Sequence, residues 1–465
     1  MTKSSFFFCG VGGSGMLPLA AIVRSSGAEV TGSDRALDAG RLTAKFDYLR
    51  SLGIGLFAQD GSGLREGMTL VTSAAVEETI PDVIRARALG LDHLTRPQLL
   101  AQLLNAAPSS VAVGGTSGKS TVTGMIGWIL HALGRCPTVM NGAVMKNFVS
   151  EQAPFASALV GDPGLFVGEV DESDGSIALY RPDVAVLNNV SLDHKEMDEL
   201  RDLFGGFLGC ARQAVANLDD PESRLIAEAI PNAIGFGFDS PGARLMGRNL
   251  QLAAEGSSFD VAMDGETHPV SLAQPGRHNA ANALAALAAV VALGVPLGEA
   301  VTAIAGFAGL RRRLETVGIA SGVTVIDDFA HNPDKIAATL ATLTAQPGRL
   351  LVMFQPHGYG PLAKMGDELA ATFAQGLREH DLLLVSDPVY QGGTVDRSRG
   401  SEWLVDAVRT AGGQAAYLPN RPEIAERLLA EAAPGDQVAI LGARDDSLSE
   451  FAAELITRLN ALKRV

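Results

Sequence analysis

The chain has little cysteine, a deficit of positive charge and no long apolar run. Its three cysteines among 465 residues, Cys9, Cys136 and Cys210, are odd in number and far apart, without metal-ligand spacing. A disulfide framework and a thiolate metal site are thereby excluded, and reduced thiols in a cytoplasm are expected. Lys and Arg total 37 against 52 Asp and Glu, a formal net charge of -15, so nucleic acid is not an expected partner. Any bound phosphate must be met by local loops and metal, not by a basic surface. No segment is apolar for long enough to span a bilayer, so no membrane partner is expected. Gly10, Gly12, Gly13 and Gly15 break up the apolar start, and no signal peptide is read there. With 47% hydrophobic and 19% charged residues the composition is globular, and the length asks for two to four domains.

Against those absences stands one stretch around which the rest is organised, Val111-Ala-Val-Gly-Gly-Thr-Ser-Gly-Lys-Ser-Thr-Val-Thr123. An apolar run, a glycine turn and the apolar-periodic Met125 to Leu130 spell strand, phosphate loop and helix. In that geometry the backbone of Gly115, Thr116, Ser117, Gly118 and Thr121 and the positive end of the helix face an anion. Lys119 reaches the terminal phosphates and the Ser120 hydroxyl can ligate Mg²⁺, so a nucleoside triphosphate is expected. Val113 stands where the eight-residue pattern has its first glycine, which makes this loop a tighter variant.

The first hundred residues read as Rossmann-like. A strand from Ser5 runs into Gly-x-Gly-x-x-Gly at Gly10, Gly12 and Gly15, with Gly13, Ser14 and Met16 completing the turn into an apolar helix. A second strand ends at Asp34, about 20 residues on, where such folds place a carboxylate for a ribose or sugar hydroxyl. Alone this pattern would suggest a nicotinamide oxidoreductase, but such an enzyme has little use for a second phosphate loop. Strand and helix signals follow at Met68 to Ser73, Asp82 to Leu89 and Gln98 to Asn105, and Ala106 to Ser110 reads as a linker.

Beyond the phosphate loop, a buried-type strand runs into Glu169-Val-Asp-Glu-Ser-Asp174, and acids at such a strand end hold Mg²⁺ against a transferring phosphate. Glu169 is the first choice of ligand. His194, after another apolar strand, suits a metal or a phosphoryl oxygen. Residues 233 to 275 suggest a β-hairpin excursion around Asp264-Gly265. Asn279 and Asn282 open an Ala/Leu-rich helix and present two amides one turn apart, suited to a purine edge. Arg311-Arg-Arg313 is either a solvated charge run or a bidentate phosphate clamp at the start of a third β/α segment.

These stretches, in this order and across nearly the whole chain, resemble the Mur ligase family of ATP-dependent ligases that build the peptide of the bacterial cell-wall precursor. The specific combination is Gly115 to Thr121, Glu169 to Asp174, Asn189 five residues before His194, Gly276-Arg-His-Asn279, Arg313-Leu-Glu315 and Asp327-Asp-Phe-Ala-His-Asn-Pro333. The resemblance implies an α/β chain of three domains. Residues 1–107 would be a Rossmann-like UDP-sugar-binding domain, 108–310 a central P-loop ATPase-type domain, and 311–465 a C-terminal Rossmann-like domain binding the amine donor. It further implies ATP and Mg²⁺, a cytoplasmic monomer or homodimer, and UDP-N-acetylmuramate as carboxylate substrate, joined to L-alanine through an acyl phosphate. A murein tripeptide in place of L-alanine, and a non-catalytic relative, are the alternatives.

By that resemblance Gly10, Gly12, Gly13, Ser14, Gly15, Met16, Asp34 and Ser73 would hold the UDP-sugar. Lys119 would hold the β/γ-phosphates, with Ser120, Glu169 and His194 at Mg²⁺. Asn279 and Asn282 would serve adenine, while Arg313 and Asp328 would reach the nucleotide from the third domain. His331 and His357 fall in the amine-donor region. One departure stands in that region: Gly358 follows Gln-Pro-His357 where the alanine-adding members carry arginine. Several members also use a carbamylated lysine, and Gly209 to Gln213 offers none.

Overall fold

The computed structural model describes residues 4–191, 195–389, 397–443 and 445–462. Its strands fall into three sheets. The first has the order Gly55–Phe57, Glu29–Ser33, Ser5–Cys9, Thr69–Thr72, Asp92–Thr95, with every pair parallel. The chain therefore winds outward from Ser5–Cys9 in both directions. The crevice between that strand and Thr69–Thr72 is the switch point where such sheets bind ligands. Phe8, Val30 and Val71 are buried between the sheet and its helices.

Helix Arg96–Ala106 leaves the last of these strands through a capping box. Thr95 Oγ1 accepts from Gln98 N–H, and Gln98 Oε1 accepts from Thr95 N–H at 2.8 Å, satisfying two amides that the first helical turn leaves over. The helix ends where the sequence suggested a linker, and strand Ser109–Gly114 begins two residues beyond Ala107.

That strand lies in the second sheet between Val184–Leu187 and Asp162–Glu169, parallel to both. Covered on each side, Val111, Ala112 and Val113 are fully buried, which is why the segment reads as a continuous apolar run rather than an alternating one. Gln213–Asn217 and Ile234–Gly237 continue the sheet on one flank and Pro137–Met140 on the other. The stretch expected as a hairpin excursion instead extends this sheet through Leu245–Ala253, Gly256–Met263 and Glu266–Leu272. Its turn is of the mirror type that suits a hairpin, with φ of 50° at Asp264 and 90° at Gly265.

The third sheet has the order Glu315–Ala320, Val323–Asp328, Gln437–Gly442, Leu350–Gln355, Leu382–Val385, Ala415–Tyr417, and only its first strand is antiparallel. Helix Pro333–Thr344 is capped by the Asn332 side chain. By compactness the chain divides into one unit holding the first two sheets and a second holding Leu310–Val465 with the short pieces Leu252–Ser257 and Gln274–His278.

Thr95→Ala should destabilise the first unit by about 1 kcal/mol, as loss of a hydroxyl cap does, while Thr95→Ser should not. Denaturant unfolding of the two variants beside the unaltered chain checks this.

Candidate active site

Strand register assembles the site. Val113 pairs with Glu169 on one side, and Gly114 pairs with Leu187 on the other. The phosphate loop therefore leaves its strand between a carboxylate and the amides Asn188 and Asn189. Helix Lys119–Ala132 starts from Gly118, whose φ of +83° is open to glycine. A Cβ there would lie 2.4 Å from Asn188 Nδ2 and 2.5 Å from Asn282 Oδ1. The absent side chain lets two amides press directly on the loop.

Those amides hold the loop in shape. Asn189 accepts from Ser117 N–H at 2.8 Å and donates to Ser117 O at 3.0 Å. Asn188 Nδ2 donates to Ser117 O at 3.0 Å and to Asn282 Oδ1 at 2.9 Å. Asn282, expected at a purine edge, thus backs the loop, with Asn279 behind it at 3.4 Å. Asn188 was missed from sequence, since nothing local distinguishes it from Asn189. Among the described residues, Ser117 Oγ and Asn188 Oδ1 are buried without a hydrogen-bond partner. Such atoms fit a loop that completes its bonding on a ligand.

Lys119 Nζ donates to Gly115 O at 2.6 Å and to Glu172 Oε2 at 2.9 Å. Burial works against its charge, but Glu172, Asp171 and Glu169 outweigh burial and hold the ammonium above its usual range. Burial likewise opposes the Asp171 carboxylate, and Lys119 pulls it below its usual range. Ser120 Oγ donates to Glu169 Oε2 at 2.6 Å, while Asn141 Nδ2 holds Ser120 O at 2.9 Å. Two hard oxygens that close suit neighbouring corners of a Mg²⁺ octahedron, whose ligands at 2.0–2.1 Å stand about 2.9 Å apart. Glu169 is also packed tightly: a Cβ on Gly142 would fall 2.0 Å from its Oε1. The donor set fits the expected metal. His194 lies outside the described residues.

In the same unit the glycine loop closes on itself. Gly10 and Val11 N–H both donate to Ser33 O, and Gly13 N–H donates to Gly10 O. Asp34, expected at a sugar hydroxyl, has described partners in the loop and the next helix: it accepts from Gly12 N–H at 2.9 Å and Ala36 N–H at 2.8 Å. Ser14 and Gly13 are exposed, Met16 is buried, and Ser73 directly follows strand Thr69–Thr72 across the switch point. Arg96, passed over in the sequence, packs on Gly15, where a Cβ would lie 3.0 Å from its Cδ. Behind the loop Cys9 is buried beside Asp82, and burial pushes its thiol up to about 12, so it is no nucleophile.

The second unit gathers its own cluster at the carboxyl edge of its sheet. Arg313 lies 4.6 Å over the Phe329 ring, Phe329 meets His331 edge-on at 5.4 Å, and His331 meets His357 edge-on at 4.9 Å. His331 Nδ1–H donates to Phe329 O at 2.7 Å, and burial drives its pKa down to about 2. Asp328 accepts from Leu314 N–H and Thr339 Oγ1, and burial pushes its carboxyl up. In the arginine run Arg311 is exposed and Arg313 half-buried, but the middle member is not solvated. Arg312 is buried, reaching Asp327 at 3.4 Å and the carbonyls of Gly442 and Asp445. Gly358 precedes helix Tyr359–Gly376 with φ of 152° and ψ of 159°, a conformation only glycine adopts readily.

Comparison with known proteins agrees over the full chain. Residues 6–107 match the Mur ligase family catalytic domain, 113–290 the Mur ligase middle domain, and 312–444 the Mur ligase glutamate ligase domain. The UDP-N-acetylmuramate–L-alanine ligase of Agrobacterium fabrum is 33% identical, covering 98% of this chain and 97% of its own. The enzyme of the same name from Acidothermus cellulolyticus is 36% identical over 94% of this chain and 92% of its own. Among solved structures, the UDP-N-acetylmuramate–alanine ligase of Thermotoga maritima superposes with a TM-score of 0.80 at 24% identity, covering 98% of this chain and 99% of its own. A murein peptide ligase of Psychrobacter arcticus gives 0.72 at 25% identity, with the same coverage.

Gly118→Ala is expected to weaken binding of a Mg²⁺–nucleoside diphosphate at least tenfold, about 1.4 kcal/mol, as calorimetry would read. His331 should stay neutral, its ring resonances flat in NMR spectra from about pH 8 to about pH 5. Its folded pKa of about 2 lies below the ordinary 6.5, so the unfolded chain binds the proton more tightly. The stability His331 contributes is therefore full above about pH 6.5 and is lost as pH falls through that value toward about 2.

Proposed function

The chain belongs to the Mur ligase family, and we propose that it joins the lactyl carboxylate of UDP-N-acetylmuramate to the amino group of L-alanine, driven by ATP. The family is one of ATP-dependent ligases, and the relatives similar over the full chain are ligases of that specificity by name. The observation that carries the reading is the convergence of Lys119, Ser120 and Glu169 on one phosphate loop, in the same compact unit as a second, diphosphate-type glycine loop.

A carboxylate is a poor electrophile, and transfer of the γ-phosphoryl group of ATP makes it an acyl phosphate that an amine can attack. The chain's part in this is positioning and charge stabilisation. Gly115, Thr116, Ser117, Gly118 and Thr121 cradle the phosphates, with Lys119 on the β/γ oxygens as negative charge shifts toward the leaving group. Ser120 and Glu169 would hold Mg²⁺, which would supply a counter-charge for the phosphates. Asn188, Asn189 and Asn282 keep the loop in shape, so little reorganisation accompanies transfer. The glycine loop from Gly10 to Gly15 fixes the UDP end, and Arg313 and Asp328 keep the nucleotide roles expected of them. His331 is neutral in this reading, and with His357 it serves the amine donor as a dipole rather than as a cation.

The domain limits 1–107, 108–310 and 311–465 are part of the proposal. So is a cytoplasmic setting; among the described residues no helix is long and apolar enough to cross a membrane.

Phosphate release from Mg²⁺-ATP with UDP-N-acetylmuramate is expected to require L-alanine, and preference for a murein tripeptide would overturn the assigned donor. Lys119→Ala should lower turnover by on the order of 10²–10³ or more. The same variant should leave UDP-N-acetylmuramate binding within about twofold of its starting affinity by calorimetry, a change of about 0.4 kcal/mol or less.

A further inference from the structure

The glycine loop from Gly10 to Met16 spends most of its amides on the fold itself. Gly10 and Val11 N–H donate to Ser33 O, Gly12 N–H to Asp34 Oδ2, Gly13 N–H to Gly10 O and Met16 N–H to Gly13 O. Among the described residues, the N–H groups of Ser14 and Gly15 are left without a protein acceptor, and neither residue is buried. A loop that offers an anion so few amides is short of positive charge. It also holds the Asp34 carboxylate, 2.9 Å from Gly12 N, in a chain of formal net charge -15. Lys45 and Arg96 reach it from opposite ends. Lys45 Nζ is committed to Gly12 O at 3.2 Å. Arg96 lies against Gly15, where a Cβ would fall 3.0 Å from its Cδ, 3.1 Å from Nη1 and 3.4 Å from Nε, so the bare glycine makes room for the guanidinium.

We propose that Arg96 binds the diphosphate of the UDP-sugar, its guanidinium completing the cradle that the Ser14 and Gly15 amides begin. The inference rests on reading this loop as the UDP-sugar site. A diphosphate carries negative charge on each phosphate, and a guanidinium meets such oxygens with paired N–H donors in one plane. Among the described residues the Arg96 guanidinium has no hydrogen bond and no ion pair, and Asp171 feels its charge without bonding it. The helix that Arg96 begins fixes its place. It follows the Thr95 cap as the first residue of Arg96–Ala106, and Tyr180 Oη donates to Pro97 O at 3.4 Å. A cation at the positive end of a helix is unfavourable, and no acid in that first turn offsets it. Helix stability therefore does not account for the charge, whereas an anion on the adjoining loop does.

The test is calorimetric titration of UDP and of UDP-N-acetylmuramate into the full chain. Arg96→Gln keeps a polar side chain and removes the charge. It should weaken both ligands by about tenfold or more, while Mg²⁺-ADP binding stays within about twofold. Arg96→Lys should recover part of the loss, since lysine restores the charge but not the paired donors. Salt gives a readout that a packing role would not move. Between about 50 and about 300 mM NaCl the unaltered chain should lose affinity for UDP more steeply than Arg96→Gln does. Thermal melting separates binding from folding: without ligand, Arg96→Gln should melt no lower than the unaltered chain, because a helix does not need a cation at its positive end. UDP binding by Arg96→Gln as tight as the original, or parallel salt slopes, would overturn the proposal and leave the glycine loop standing as the site. A lowered melting temperature with UDP and Mg²⁺-ADP weakened alike would assign Arg96 to the fold and overturn the proposal as well. No UDP binding by the unaltered chain would overturn the site and the proposal together.

Discussion

A positive charge placed under cover must be matched by negative charge at contact distance, and the first unit is arranged to satisfy that condition at Lys119. The strand that precedes the lysine lies between two parallel neighbours, and one of them ends in a carboxylate run at the height where the loop departs. Remove the register and the ammonium faces apolar strand ends. Keep it, and the loop, the metal oxygens and the counter-charge fall within one turn of backbone. The absence of a side chain at position 118 belongs to the same constraint, because the amides that stiffen the loop need the volume a Cβ would occupy.

The parts of this arrangement differ in how plainly the sequence announces them. Strand, glycine turn and helix around residue 115 are local patterns, as are the loop from Gly10 to Gly15 and the alternation of elements that yields the parallel sheets. Boundaries in the first sheet and its helices agree to within a residue or two, as at Thr69–Thr72 and Pro81–Ala88. Glu172 and Asn188 were less visible. Glu172 lies three residues beyond Glu169, the acid that the sequence pattern favours, and Asn188 lies beside Asn189; only the folded loop shows which side chains turn toward it. Arg312 takes a part that neither reading of the arginine run included. A run of three arginines looks solvated until the strand end at Gly442 supplies carbonyls that bury the middle one. Asn282 kept its place near the nucleotide loop but acquired a structural partner that spacing alone does not encode.

The second unit uses aromatic contact where the first uses ion pairing. Arg313, Phe329, His331 and His357 form a column in which a cation lies on a ring face and each following ring meets its neighbour by an edge. The arrangement suits an uncharged His331 imidazole, since a protonated ring near a guanidinium would repel it. It supplies shape and polarity to the carboxyl edge of the sheet with little net charge.

Gly358 stands at the end of that edge, and its backbone angles reach beyond this molecule. With φ at 152°, the position is closed to arginine as long as the following helix begins where it does. The glycine form and the arginine form of this segment are therefore not neighbours in mutational space: a lineage moving between them must first rebuild the start of the helix. Sequences that share this glycine are expected to share the local backbone around it.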